Sequence, residues 1–119
     1  MIAGAHTIIY AEDAERARAF IRDVLGFPSV DAGGGWLIFE LPPGELAVHP
    51  ADVGQHELFF MCHDIEQAVD DLKKRGVDFT APISDAGYGL MTRFKVPGAR
   101  EIGLYQPKHP SPLAGFSAG

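Results

Sequence analysis

His6 and His56 stand 50 residues apart, and each opens a short apolar run, His6-Thr-Ile-Ile-Tyr10 and His56-Glu-Leu-Phe-Phe60. Two imidazoles at matching strand starts are hard to treat as coincidence, and they draw attention to the residues that would share their face. Strand side chains alternate between the two faces of a sheet. One face of the opening strands therefore holds His6, Ile8 and Tyr10, and its counterpart His56, Leu58, Phe60 and Cys62. Two later strands add Glu45, Ala47 and His49 in the first half and Glu101, Gly103 and Tyr105 in the second. Trp36, Ile38 and Glu40, with Met91, Arg93 and Lys95 as counterparts, complete the set. Two sheets curving towards each other would turn these faces into a cup, with aromatic rings for stacking and a few convergent polar groups, the usual make-up of a ligand pocket. On a half-exposed sheet the same polar residues would simply meet solvent; the duplicated histidines favour the cup.

The elements that must position these groups are read twice along the chain. In the first half, Asp13 is placed to cap a helix with Ala17, Phe20, Ile21, Val24 and Leu25 on one face, and Gly26 is placed to end it. Strands are expected over 28–32, 36–41 and 45–49, with Gly33-Gly34-Gly35 and Pro42-Pro43-Gly44 as turns. In the second half, Asp64 and Gln67 form a capping-box-like start to a helix bearing Ile65, Ala68, Val69 and Leu72, ended by Gly76. Strands follow over 77–83, 88–96 and 101–105, with Leu46 and Val48, like Ile102 and Leu104, turned towards the helices. The reading is an α+β protein of two tandem βαβββ modules, about 1–50 and 54–107 within one domain over 1–107. Its curved mixed sheets form a cup with helices on the outer faces, and 108–119 is a loose tail.

At this point the sequence resembles the vicinal oxygen chelate superfamily, which includes glyoxalase I, bleomycin-resistance proteins, fosfomycin-resistance enzymes and extradiol dioxygenases. The resemblance spans about residues 4–107. It is carried by His6-Thr-Ile-Ile-Tyr10, Val24-Leu25-Gly26-Phe27, His56-Glu-Leu-Phe-Phe60 and Leu104-Tyr105-Gln106-Pro107. It implies that His6 and His56 match the two opening-strand metal-ligand positions. The closing-strand positions, glutamate in glyoxalase I, fall here on Ala47 and Gly103, which have no ligating side chain. Isomerisation of the glyoxalase type needs a Lewis-acidic metal and a carboxylate base, and extradiol cleavage needs an iron site of two histidines and a carboxylate. Glu101 and His49 lie two residues from the missing positions on the same face, so His6, His56 and Glu101 form the one displaced triad available to a divalent metal ion, with His49 as a fourth candidate.

Two functions follow as expectations, beside a blander third, an accessory protein whose sheets serve mainly for association. One is a small-molecule binder without the usual glyoxalase metal site, like the bleomycin-resistance branch, with Tyr10, Trp36, His49, Phe60, Met91 and Arg93 contacting the ligand. The other is a metal-dependent lyase, isomerase or dioxygenase using His6, His56 and Glu101, with Glu101 or Tyr105 moving protons. A net charge of −6 without a Lys/Arg cluster excludes a nucleic-acid footprint and leans towards neutral or cationic ligands. No apolar run nears the ~20 residues that span a membrane, and the single cysteine, Cys62, fits a reducing cytoplasm. A homodimer through a sheet edge is compatible with the pattern. Cys62 has no neighbouring base, His63 and His109 read as exposed loop or tail residues, and serine-triad, P-loop and zinc-finger patterns are absent.

Overall fold

The computed structural model describes Met1 and residues 4–116. Its first helix, α1 (Ala14–Phe20), starts where Asp13 accepts a hydrogen bond from the Arg16 amide at 3.1 Å. It runs on as a π turn over Ile21–Leu25 and stops at Gly26, whose φ of 75° is the left-handed conformation that glycine adopts without a side-chain clash. A hairpin of β1 (Ser29–Asp31) and β2 (Leu37–Phe39) follows, pinned at its turn by Asp31, which accepts from the amides of Gly33 and Gly35. The second half contributes β3 (Phe59–Met61), α2 (Ile65–Lys74), β4 (Ser84–Asp85), β5 (Gly89–Lys95) and β6 (Glu101–Pro107), and a 3-10 turn lies at Ala114–Phe116. Asp64 caps α2 by accepting from the Gln67 amide at 3.1 Å.

The strands of the second half form one sheet in the order β3-β6-β5-β4, with β3 parallel to β6 and the other pairs antiparallel. Both helices cover the same side of it. Ala17 and Phe20 of α1 and Ile65 and Val69 of α2 are buried against Phe94, Val96, Ile102 and Leu104. Each such large apolar side chain removed from water contributes about 1.5–3 kcal/mol, which makes this layer the main source of stability. The β5–β6 turn reaches α1 directly, where the Asp13 amide donates to the Gly98 carbonyl at 2.9 Å. Among the described residues no helix is long and apolar enough to cross a membrane.

The α+β class, both caps, both helix-ending glycines and the inward set Ile102 and Leu104 agree with the sequence reading. Three local expectations do not. Residues 6–10 and 45–49 form no strand, and Leu46 and Val48 are 90% and 89% exposed. An alternating pattern makes a segment competent for a sheet, but a strand exists only when a neighbour pairs its amides and carbonyls. The strand expected over 77–83 is reduced to a bridge between Phe79 and Phe94 before the short β4, because Pro82 has no amide to contribute. The faces of β3 are also exchanged. Leu58, Phe60 and Cys62 pack against the core, and Phe60 stacks near Phe94 with ring centroids 6.5 Å apart. Phe59 is therefore the ring on the open face, where Phe60 was expected.

Candidate functional site

The side of the four-stranded sheet turned away from the helices carries Phe59 on β3, Glu101, Gly103 and Tyr105 on β6, and Met91, Arg93 and Lys95 on β5. The antiparallel register sets Lys95 opposite Glu101, Arg93 opposite Gly103 and Met91 opposite Tyr105. Three zones follow along this face, from the start of β6 to its end.

The first zone is a charged cleft of about 340 Å³ lined by Gln55, His56, Glu57, Leu58, Arg93, Arg100 and Glu101. Its volume reaches the lower end of the range of small-molecule sites, about 300–1,000 Å³. Arg93 donates to Glu57 at 3.2 Å, and Glu101 accepts from the Thr80 hydroxyl. The cleft thus joins three residues singled out from the sequence, His56, Arg93 and Glu101.

The middle zone is aromatic. Phe59 lies over Gly103, where a side-chain carbon on residue 103 would collide with the ring. The Arg93 guanidinium sits 5.2 Å from the Phe59 ring centroid, a cation–π arrangement that holds both groups in place. Tyr105 meets Phe59 edge-on, with centroids 6.0 Å apart. Glycine again makes room: a side-chain carbon on Gly89 would fall 2.7 Å from the Tyr105 ring. Two glycines therefore let two aromatic rings lie against the sheet.

The third zone surrounds the Tyr105 hydroxyl. It donates to Glu45 Oε1 at 3.4 Å and is also hydrogen-bonded to His109 Nε2. Ser111 donates to the second Glu45 oxygen at 2.6 Å. Within the segment read as a loose tail, His109 and Ser111 are thus tied to Tyr105 and Glu45, and Phe116 stacks on His63 with centroids 4.3 Å apart, while 117–119 lie outside the described residues. Burial, then the negative charge and hydrogen bond of Glu45, and finally Tyr88 push the Tyr105 phenol up to about 12, so it acts as a hydrogen-bond donor at neutral pH. Burial, and secondarily Asp64, raises the Cys62 thiol to about 11, which leaves it without nucleophilic thiolate.

The remaining sequence candidates lie elsewhere. His6 and Tyr10 are exposed in the unpaired opening segment, and Trp36 is also exposed, with the Arg18 guanidinium of α1 4.5 Å from its ring centroid. His49 is exposed beside Tyr88, with centroids 5.5 Å apart. Among the described residues no three His, Cys, Asp or Glu side chains are grouped as they would be around one ion, so His6, His56 and Glu101 are not brought together. Sequence reasoning passed over Phe59 and Ser111, read His109 as an exposed loop or tail residue, and set Glu45 on the cup face without these partners. Phe59 was recoverable from the small residue opposite it, Gly103. The Glu45 contacts bridge 60 and 66 residues and leave no local signal.

Comparison with known proteins agrees with this architecture. Residues 4–103 match the family model described as Glyoxalase/Bleomycin resistance protein/Dioxygenase superfamily. A crystal structure of a member of that superfamily from Sphaerobacter thermophilus DSM 20745 is 26% identical, with a TM-score of 0.63, over 88% of this chain and 98% of that one. A lactoylglutathione lyase from Agrobacterium tumefaciens shares the fold at 22% identity and a TM-score of 0.61, over 87% of this chain and 92% of its own. An antibiotic binding protein from Streptomyces sp. CB03234 does so at 21% identity and a TM-score of 0.55, over 91% of this chain and 100% of its own. A search of curated proteins gave no match.

Proposed function

The chain belongs to the glyoxalase/bleomycin resistance protein/dioxygenase superfamily, and from that premise we propose that it binds a small organic molecule on the open face of its four-stranded sheet without the usual glyoxalase metal site. The observation that carries this reading is the Phe59 ring over Gly103. The resemblance matches Gly103 to a metal-binding glutamate of glyoxalase I, and the Phe59 ring fills the space that a side chain on residue 103 would need. The other closing position, Ala47, is exposed and has no donor atom. These residues do not fit the family's metal site. They fit a stacking surface, with rings at its centre and ionic groups at its ends. The antibiotic binding neighbour makes sequestration of a ligand a natural role for such a surface.

A competing reading keeps a divalent ion on His6, His56 and a displaced Glu101, and is favoured by the shared cleft of His56 and Glu101. Metal analysis of loaded protein separates the two. The stacking reading expects the wild type to retain no more ion than a variant carrying His6→Ala and His56→Ala, and retention of one ion per chain by the wild type alone refutes it. A thermal-shift screen of aromatic compounds, with and without divalent ions, then expects stabilisation that does not depend on the ion. We further propose that the protein works as a homodimer in the reducing cytoplasm. The exposure of Leu46 and Val48 supports the first and the unpaired Cys62 the second.

A further inference from the structure

Glu45 differs from the other ion-paired carboxylates of the molecule. Asp23, Glu57 and Asp85 pair with Arg22, Arg93 and Lys108, and their side chains are 50–58% exposed. The Glu45 side chain is only 15% exposed, and its one ionic partner among the described residues is His109, at 3.6 Å. Its remaining partners are the neutral hydroxyls of Tyr105 and Ser111. A carboxylate withdrawn from water with no permanent cation beside it is an unfavourable arrangement that a bound cation relieves.

The surroundings specify what kind of cation. Tyr105 lies between Tyr88, Phe59 and His109, at centroid distances of 6.4, 6.0 and 5.8 Å. Aromatic faces attract organic ammonium groups, and the carboxylate supplies the opposite charge. His109 already imitates such a group. Its Nδ1 faces the Pro110 carbonyl at 2.8 Å, and a carbonyl can only accept, so Nδ1 carries the hydrogen. Its Nε2 lies against the Tyr105 hydroxyl and 3.6 Å from Glu45 Oε1, the place an ammonium group would take. The ring is held by one turn of chain rich in proline, outside any strand or helix.

We infer that Glu45 recognises the ammonium group of an organic ligand lying on the Tyr105–Phe59 surface, and that His109 fills this position until the ligand displaces it. The inference rests on the open face being the ligand surface, and it adds the ligand's charge and the role of the C-terminal segment. The test titrates the full chain with 2-phenylethylamine and with its uncharged analogue 2-phenylethanol, followed by calorimetry. The amine is expected to bind at least about tenfold tighter than the alcohol, the difference between a charge-assisted and a neutral contact. Glu45→Gln brings the ratio to about one, and Glu45→Asp retains part of it. His109→Ala tightens the amine by roughly two- to threefold, as loss of a competing internal occupant requires, and leaves the alcohol unchanged. Equal affinities in the wild type overturn the inference while leaving the open face as a binding surface, and so does a preference that survives Glu45→Gln. Binding of neither probe, together with an empty aromatic screen, overturns both.

Discussion

The two halves of this chain carry nearly the same pattern and meet opposite fates. Glu45-Leu-Ala-Val-His49 and Glu101-Ile-Gly-Leu-Tyr105 alternate in the same way. Ile102 and Leu104 are each 4% exposed in the middle of a sheet, whereas Leu46 and Val48 are 90% and 89% exposed outside any strand. The helices make the contrast sharper, because α1 packs its Ala17 and Phe20 onto the second half's sheet and not onto strands of its own. Alternation therefore specifies which residues would face a core, but burial depends on a neighbouring strand being present. The second half has that neighbour in β5 and β3. Among the described residues the first half has a short hairpin, and its closing segment meets the second half through Glu45 and through His49 beside Tyr88.

The largest consequence concerns truncation of the paired apolar residues. Ile102→Ala is expected to cost about 2–5 kcal/mol in chemical denaturation, while Leu46→Ala in dilute protein stays within about 0.5 kcal/mol. A cost for Leu46→Ala that grows with protein concentration would show that a second copy covers the first half, as the proposed homodimer requires. Next come the small residues at the matching position. Gly103→Ala is expected to lose about 1–3 kcal/mol, because the new methyl displaces the Phe59 ring. Ala47→Val should change stability by less than about 0.5 kcal/mol. Equal effects at 47 and 103 would show that the two positions are equally packed.

The helix starts are where the halves should behave alike. Asp13 and Asp64 each accept one amide at 3.1 Å, so Asp13→Ala and Asp64→Ala should each cost about 1 kcal/mol. The smallest effect is spectroscopic. The Tyr105 phenol ionises near 12, and Glu45→Gln should lower that midpoint, because the neighbouring charge is lost. It should remain above the ordinary tyrosine value, since burial is the larger cause. A phenol raised in the folded state contributes stability below its unfolded value, near 10, and loses it as pH rises through 12. The tie between Glu45 and Tyr105 is therefore to be read from ultraviolet titration between those limits.

Much of this was legible in the residues themselves. Aspartates before apolar helical faces and glycines after them announced both helices. The strict alternation of Thr92, Phe94 and Val96 with Arg93 and Lys95 fixed the faces of β5. The run Leu58-Phe59-Phe60-Met61 has no polar member to set its phase, so its face was assigned one residue out of register. Residues 6–10 and 45–49 showed strand pattern without the pairing that makes a strand. Ala47 and Gly103 revealed the loss of ligating side chains, but only the structure shows Phe59 occupying one of the vacated positions. The meeting of Glu45 with His109 and Ser111 depends on how distant segments cross, and no local pattern encodes it.

If the open face beside Phe59 and Gly103 binds an organic molecule without a metal, as proposed, the backbone of that face responds to a ligand in metal-free solution. Backbone amide spectra recorded during titration with 2-phenylethylamine, in the presence of a chelator, test it directly. Shifts concentrated at Phe59, Arg93, Gly103 and Tyr105 are expected. Shifts that appear only after a divalent ion is added, or that spare this face altogether, would contradict it.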